Sequence, residues 1–190
     1  MSHANSSTTW GFLTVLGCDE QGLIGGYLVL NQSGRPLEFH CTAPVKANRA
    51  QQILFGPTLE PYLYGEQIGQ TLVSKASAAP SVVYTDVPPA LALREFVEMP
   101  VALVLTDGEA AEPNDSPAAA SPVWRVDRSH HLAGGVMFAL GANRLAVAER
   151  HRADQQTILD RWQAAEAFDL AEPFGRIRDA IAEAQRPSRA

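Results

Sequence analysis

Cysteine, lysine and long hydrophobic runs are what this chain of 190 residues has least of. Its two cysteines, Cys18 and Cys41, exclude a fold built on disulfides and a four-cysteine zinc module. No apolar run approaches the ~20 residues that a bilayer-crossing helix needs, so no membrane partner is expected. No glycine-rich nucleotide fingerprint is present either. Gly22-Leu23-Ile24-Gly25-Gly26 lacks both the spacing and the following helix. Lysine occurs only at Lys46 and Lys75, against thirteen arginines, and the net charge is -6. Divided at Gly108, the chain carries 9 acids and 5 bases before and 12 acids and 10 bases after. Neither half binds polyanions by bulk charge, because phosphate contacts need clustered Lys and Arg. The scattered Arg35, Lys46 and Arg49 read as a solvated face.

What is there is a core. Hydrophobic residues make up 46% and charged residues 19%, which excludes disorder and suits one domain with an appendage. Residues 1–9 are small and polar and read as a flexible terminus. Val15-Leu16-Gly17-Cys18 has the look of a lipoprotein cleavage box, but residues 1–9 hold no Lys or Arg. The expectation is a cytoplasmic protein with reduced cysteines.

The stretch from Trp10 to Leu16 is apolar on both alternating faces, the mark of a strand covered twice. A second strand runs over Gly22–Leu30, and a turn at Asn31–Arg35 leads to a third, Pro36–Val45. On that strand Leu37, Phe39 and Cys41 alternate with Glu38, His40 and Thr42. These three read as an antiparallel meander. A short helix over 46–56, a longer one over 61–76, a strand at 81–84, a helix from 86 to 98 capped by Asp86, and a buried strand at 100–105 follow. Residues 108–122 have no periodicity and are rich in Pro, Ala and Ser, so they read as a flexible loop. Beyond it, 123–190 forms an extension that packs on the 10–107 core. It holds short strands at 123–126 and 145–148, an undecided segment at 132–140, and two helices. The first covers 152–167, and the second follows a capping box at Asp169–Glu172. The last helix carries Phe174, Ile177 and Ile181 on one face, for docking on the body or on a partner.

Few residues assemble into chemistry. Glu38 and His40 share a strand face, but Cys41 lies on the other, so the plain reading is a structural histidine. His130 and His131 diverge on an extended chain and lack further ligands, which argues against a metal. The segment around Phe55, Tyr62 and Tyr64 sets three aromatics beside two prolines, and is the best non-catalytic contact surface. Its structural reading is core packing.

Three acids stand out by position: Asp19 after the first strand, Glu66 on the long helix and Asp86 at the end of the fourth strand. With this element order, residues 10–106 resemble the ribonuclease H-like superfamily. The resemblance implies a mixed α/β sheet, a three-stranded meander followed by alternating helices and strands, with the helical extension added. It also implies divalent-metal phosphodiesterase or nuclease activity, with Asp19, Glu66 and Asp86 as ligands of Mg or Mn and nucleic acid as partner. A fourth ligand is implied at Asp154 in His151-x-x-Asp154. One consideration opposes it. On a regular α-helix Glu66 lies two residues, about 200°, from Ile68, so a sheet-facing Ile68 turns Glu66 to solvent. The first expectation is therefore a non-catalytic protein that acts through a protein partner, with no metal or cofactor. The nuclease is the alternative.

Overall fold

The computed structural model describes residues 8–18, 22–105, 135–162 and 168–186. Asp19, the segment 108–122, the expected strand 123–126 and the pair His130–His131 lie outside the described residues. Seven strands form one mixed sheet in the order β3-β2-β1-β4-β5-β7-β6. β1 (Thr9–Cys18) and β2 (Gly22–Asn31) pair antiparallel over their whole lengths, and β3 (Pro36–Cys41) pairs with β2. The β2–β3 turn closes because Asn31 Oδ1 accepts from the amides of Ser33 and Arg35, at 3.1 and 3.0 Å. Gly34 beside it takes φ 76°. β4 (Val82–Thr85) and β5 (Val101–Leu105) run parallel to β1. β7 (Asn143–Ala148) lies antiparallel to β5, and β6 (Gly135–Leu140) is outermost. A three-stranded meander followed by alternating helices and strands is what the resemblance in the sequence implies, and the sheet is widened by β6 and β7. The class is mixed α/β.

Helices cover both faces. Trp10, Phe12, Leu28, Leu30 and Tyr84 lie under α4 (Ala153–Arg161) and α5 (Glu172–Ala184), through Ile158, Phe174, Ile177 and Ile181. Trp10 also stacks on Trp162 at 5.3 Å and meets Phe168 edge-on at 5.1 Å. On the other face Leu13, Val15, Tyr27 and Val29 lie under Ile68, Leu72, Leu91 and Leu93. That double cover is why β1 is apolar on both sides. α5 docks on the body: Phe174, Ile177 and Ile181 are buried, so this stripe is core rather than a partner surface.

Several expectations need correction. The long helix is no regular α-helix. It runs through α2 (Leu59–Pro61), a π-helical stretch Tyr62–Gln70 and α3 (Thr71–Lys75). Preceding it is α1 (Arg49–Phe55), opened by an Asn48–Gln51 capping box. The helix after β4 is 3-10, Pro88–Glu95, and Asp86 does not cap it. Asp169 makes a turn bond to the Ala171 amide at 2.8 Å instead of a capping box. On β3 the apolar face is the less covered one, with Leu37 47% and Phe39 39% exposed. The polar face faces α3: Glu38 accepts from the Ser77 and Ala78 amides at 2.9 and 2.7 Å. The undecided segment contributes a strand from Gly135 onward. Among the described residues no helix is long and apolar enough to cross a membrane.

The glycine pair on β2 sets the helix spacing. A Cβ on Gly25 would strike Ile68 and Leu72, and one on Gly26 would strike Ile177 and Ile181. Gly26→Ala should therefore cost about 1–3 kcal/mol by overpacking. Ile177→Ala should cost about 2–5 kcal/mol as a core truncation. Because the truncation removes the nearer of the two side chains that the new methyl strikes, the double variant should lose less than the sum of the two. Thermal unfolding of the three variants measures this, and simple additivity would show that Gly26 and Ile177 do not meet.

Candidate functional site

β4 ends at Thr85, and the paired positions Leu13↔Thr85 bring Asp86 alongside Thr14 of β1. Thr14 in turn pairs with Gly26 of β2. Thr14 shares its face with Phe12 and Leu16 and alternates with Leu13 and Val15, so Gly26, Thr14 and Asp86 form a row on the sheet face that α5 covers. Arg178 of α5 donates from Nη2 to Asp86 Oδ2. The Asp86 side chain is 8% exposed and the Arg178 side chain 49%. Burial raises the Asp86 carboxyl above its ordinary value, while the Thr14 hydroxyl and the Arg178 charge pull it back part of the way. Thr14 Oγ1 and Asp86 Oδ1 are both buried, and neither completes a well-formed hydrogen bond.

The other acids lie elsewhere. Glu66 is half-buried on the π-helical stretch, whose Ile68 packs on the opposite sheet face. Asp154 belongs to a clamp between α4 and the 3-10 helix. Arg94 donates to it from Nε at 2.7 Å and from Nη2 at 3.3 Å, and to the Val97 carbonyl at 2.8 Å. His151 Nε2 lies 2.5 Å from Glu95 Oε1, which Arg150 Nε meets at 2.7 Å. These contacts hold the Glu95 carboxyl below the usual carboxylate range, His151 first among them. The His151-x-x-Asp154 spacing therefore serves a structural clamp. Likewise His40 Nε2, at 3.1 Å, and the two amides at the end of α3 lower Glu38, so this pair staples β3.

A two-metal site of the kind the resemblance implies needs carboxylates converging from separate elements. The described residues do not fit it. Beside Asp86 stands a threonine where a second acid would share charge with it, and a guanidinium already holds its Oδ2. No group of three or more His, Cys, Asp or Glu able to hold a metal occurs among the described residues. What the row can do chemically is hold one buried carboxyl against one half-exposed cation.

Phe55 and Tyr62 stack at 3.9 Å, and Tyr62 accepts from Gln67 Nε2 at 2.6 Å. Tyr64 instead packs, partly buried, on the core beneath the π-helical stretch. Next to the stack, α1 buries no residue and leaves Ile53 65% and Leu54 82% exposed. Sequence reasoning found the aromatics and missed Thr14, Arg178, Ile53 and Leu54. Arg178 sits one position off the apolar stripe of α5, and only the strand register identifies Thr14 as the neighbour of Asp86.

No family model matches the chain, and no curated protein matches it. Among solved structures, Ciona intestinalis endonuclease V (D234N), in complex with a 23mer DNA containing an inosine followed by a ribo-adenosine, aligns with a TM-score of 0.43. It is 10% identical, over 96% of this chain and 88% of that one. The catalytic domain of human endonuclease V gives 0.45 and 12% identity, covering 95% and 85%. A further structure of human endonuclease V gives 0.38 and 12%, covering 96% and 87%. Likenesses this distant carry no argument about the site.

A raised carboxyl binds its proton more tightly in the folded chain than in the unfolded one. Its favourable contribution is complete below the ordinary value of 3.8 and disappears as pH rises through the raised folded value. Wild type should therefore lose stability relative to Asp86→Asn as pH climbs above 3.8. Denaturant unfolding of both proteins across that range measures the difference. A pH-independent gap would show that Asp86 is not shifted.

Proposed function

We propose that this chain uses a ribonuclease H-like scaffold without metal-dependent hydrolysis, and acts by binding a protein partner. The observation that carries this reading is the pairing of Asp86 with Arg178 beside Thr14. The one acid that the strand order sets at the end of β4 is neutralised from within the chain, under α5. The partner surface is the α1 region, where Ile53 and Leu54 stand exposed next to the stacked Phe55 and Tyr62. Exposed aliphatic and rigid aromatic side chains together make contact area at low entropic cost.

A second reading, divalent-metal phosphodiesterase or nuclease activity, has its own support. The sheet order speaks for it more than for partner binding, and Asp86 occupies the end of β4 as the resemblance implies for a ligand. Asp19 would be needed as a further ligand. Fold alone does not decide between the two, since one scaffold hosts many functions.

Melting temperature with and without millimolar Mn²⁺, in wild type and Asp86→Asn, separates the readings. A bound ion at a hundredfold excess over its dissociation constant would stabilise the fold by about 2.7 kcal/mol. The expected result is no metal-dependent rise in either protein and no cleavage of RNA or DNA. A rise that vanishes in Asp86→Asn, with cleavage that vanishes alongside it, would install the nuclease.

A further inference from the structure

Asp86 and Asp154 are each paired with an arginine, and the two pairs are built differently. Arg94 meets Asp154 with two nitrogens and gives a third hydrogen bond to the Val97 carbonyl. A fork seated in that way uses the shape of the guanidinium. Between Arg178 and Asp86 a single nitrogen, Nη2, donates to Oδ2. The carboxyl is sunk in the fold, while the Arg178 side chain stands half in water. Such a one-pronged contact supplies charge rather than shape, as another cation placed there would. α5 does not depend on it for its place. Phe174, Ile177 and Ile181 are buried, and Ile177 lies over Gly26, the partner of Thr14. Arg176 serves a different end: it donates to the Gly34 carbonyl at 3.1 Å and meets Glu172 at 3.7 Å.

A buried carboxylate left without a counter-charge is costly, and a cation within a few ångströms relieves it. Asp86 and the wholly buried Thr14 beside it offer one charged and one neutral oxygen source for that cation. We infer that Asp86 and Thr14 form a cation seat, that Arg178 fills it from α5 as a tethered cation, and that this filling keeps free cations out. The inference rests on the reading that the scaffold works without a metal, and names the residue responsible. A tethered group is present at a fixed, high local concentration, so a free ion gains the seat only when the tether is cut. The half-exposed side of the pair is the way in for that ion once the guanidinium is gone.

Melting temperature with and without added cation tests this in the full chain, for wild type, Arg178→Ala, Asp86→Asn and the double variant. Millimolar Mn²⁺ and millimolar methylguanidinium are the two probes. Arg178→Ala should melt about 4–8 °C below the wild type, because a buried acid loses its partner. In the Asp86→Asn background the same truncation should cost no more than about half as much, since an amide needs no counter-charge. At least one probe should raise Arg178→Ala by about 2 °C or more and leave the wild type and the double variant unmoved. A rise with Mn²⁺ identifies a seat for a small hydrated ion, and a rise with methylguanidinium alone identifies one fitted to the planar group. An Arg178→Ala protein that melts with the wild type overturns the inference. So does a fall that neither cation relieves, or one that is equal in both backgrounds. In those cases a wild type indifferent to Mn²⁺ leaves the metal-independent reading standing. A wild type raised by Mn²⁺, with the rise lost in Asp86→Asn, overturns that reading and the inference with it.

Discussion

The architecture depends on how closely two helix layers approach one strand. Gly25 and Gly26 are neighbours on β2, and an extended chain points successive side chains to opposite faces. Each therefore leaves room on a different side. Ile68 and Leu72 fill one space, and Ile177 and Ile181 fill the other. Well-packed interiors respond to single methyl groups, because a side chain forced off its rotamer drags its helix with it. The pair serves here through close approach rather than unusual backbone angles.

The seating of α5 on Gly26 also decides the chemistry of the row beside it. Arg178 follows Ile177, so a helix held down by Ile177 places the guanidinium at the end of β4. The balance at Asp86 is one of burial against pairing. The carboxyl is nearly removed from water while its partner stays half-exposed, so the Coulombic attraction is screened at one end. Burial wins, and the proton is held more tightly than in water. Asp154 shows the other arrangement. Its partner Arg94 is 22% exposed, reaches it with two nitrogens, and ties the same guanidinium to a backbone carbonyl. Two-pronged geometry of that kind fixes one helix against another. The two acids of the expected site thus serve different structural ends.

The polar residues of β3 illustrate the same economy of roles. Glu38 and His40 have the look of a catalytic pair on one strand face, yet Glu38 also receives the free amides after α3. An edge strand with a pinned carboxylate is held to its own domain.

Much of the fold was legible because its signals are local. Uniform apolarity marked β1 as doubly covered, alternation marked β3, and the Asn31–Arg35 turn joined β2 to it. The apolar stripe of α5 announced a docked helix, and Phe174, Ile177 and Ile181 are buried. Where sequence reasoning erred, the cause lay in assumed geometry. A rotation of 100° per residue does not describe the π-helical stretch that carries Glu66, and alternation on β3 does not say which face a helix will cover. The site was legible only as isolated letters. Asp86 reads equally as a cap or a ligand until strand register sets Thr14 beside it, and Arg178 reads as one more surface cation until α5 is seated. The sequence by itself determined where most of the strands and helices lie and which of their faces are apolar, since propensity and periodicity act over a few residues. Tertiary structure alone decided which charges meet, because Asp86 and Arg178 stand 92 positions apart and only the packing of α5 on Gly26 brings them together.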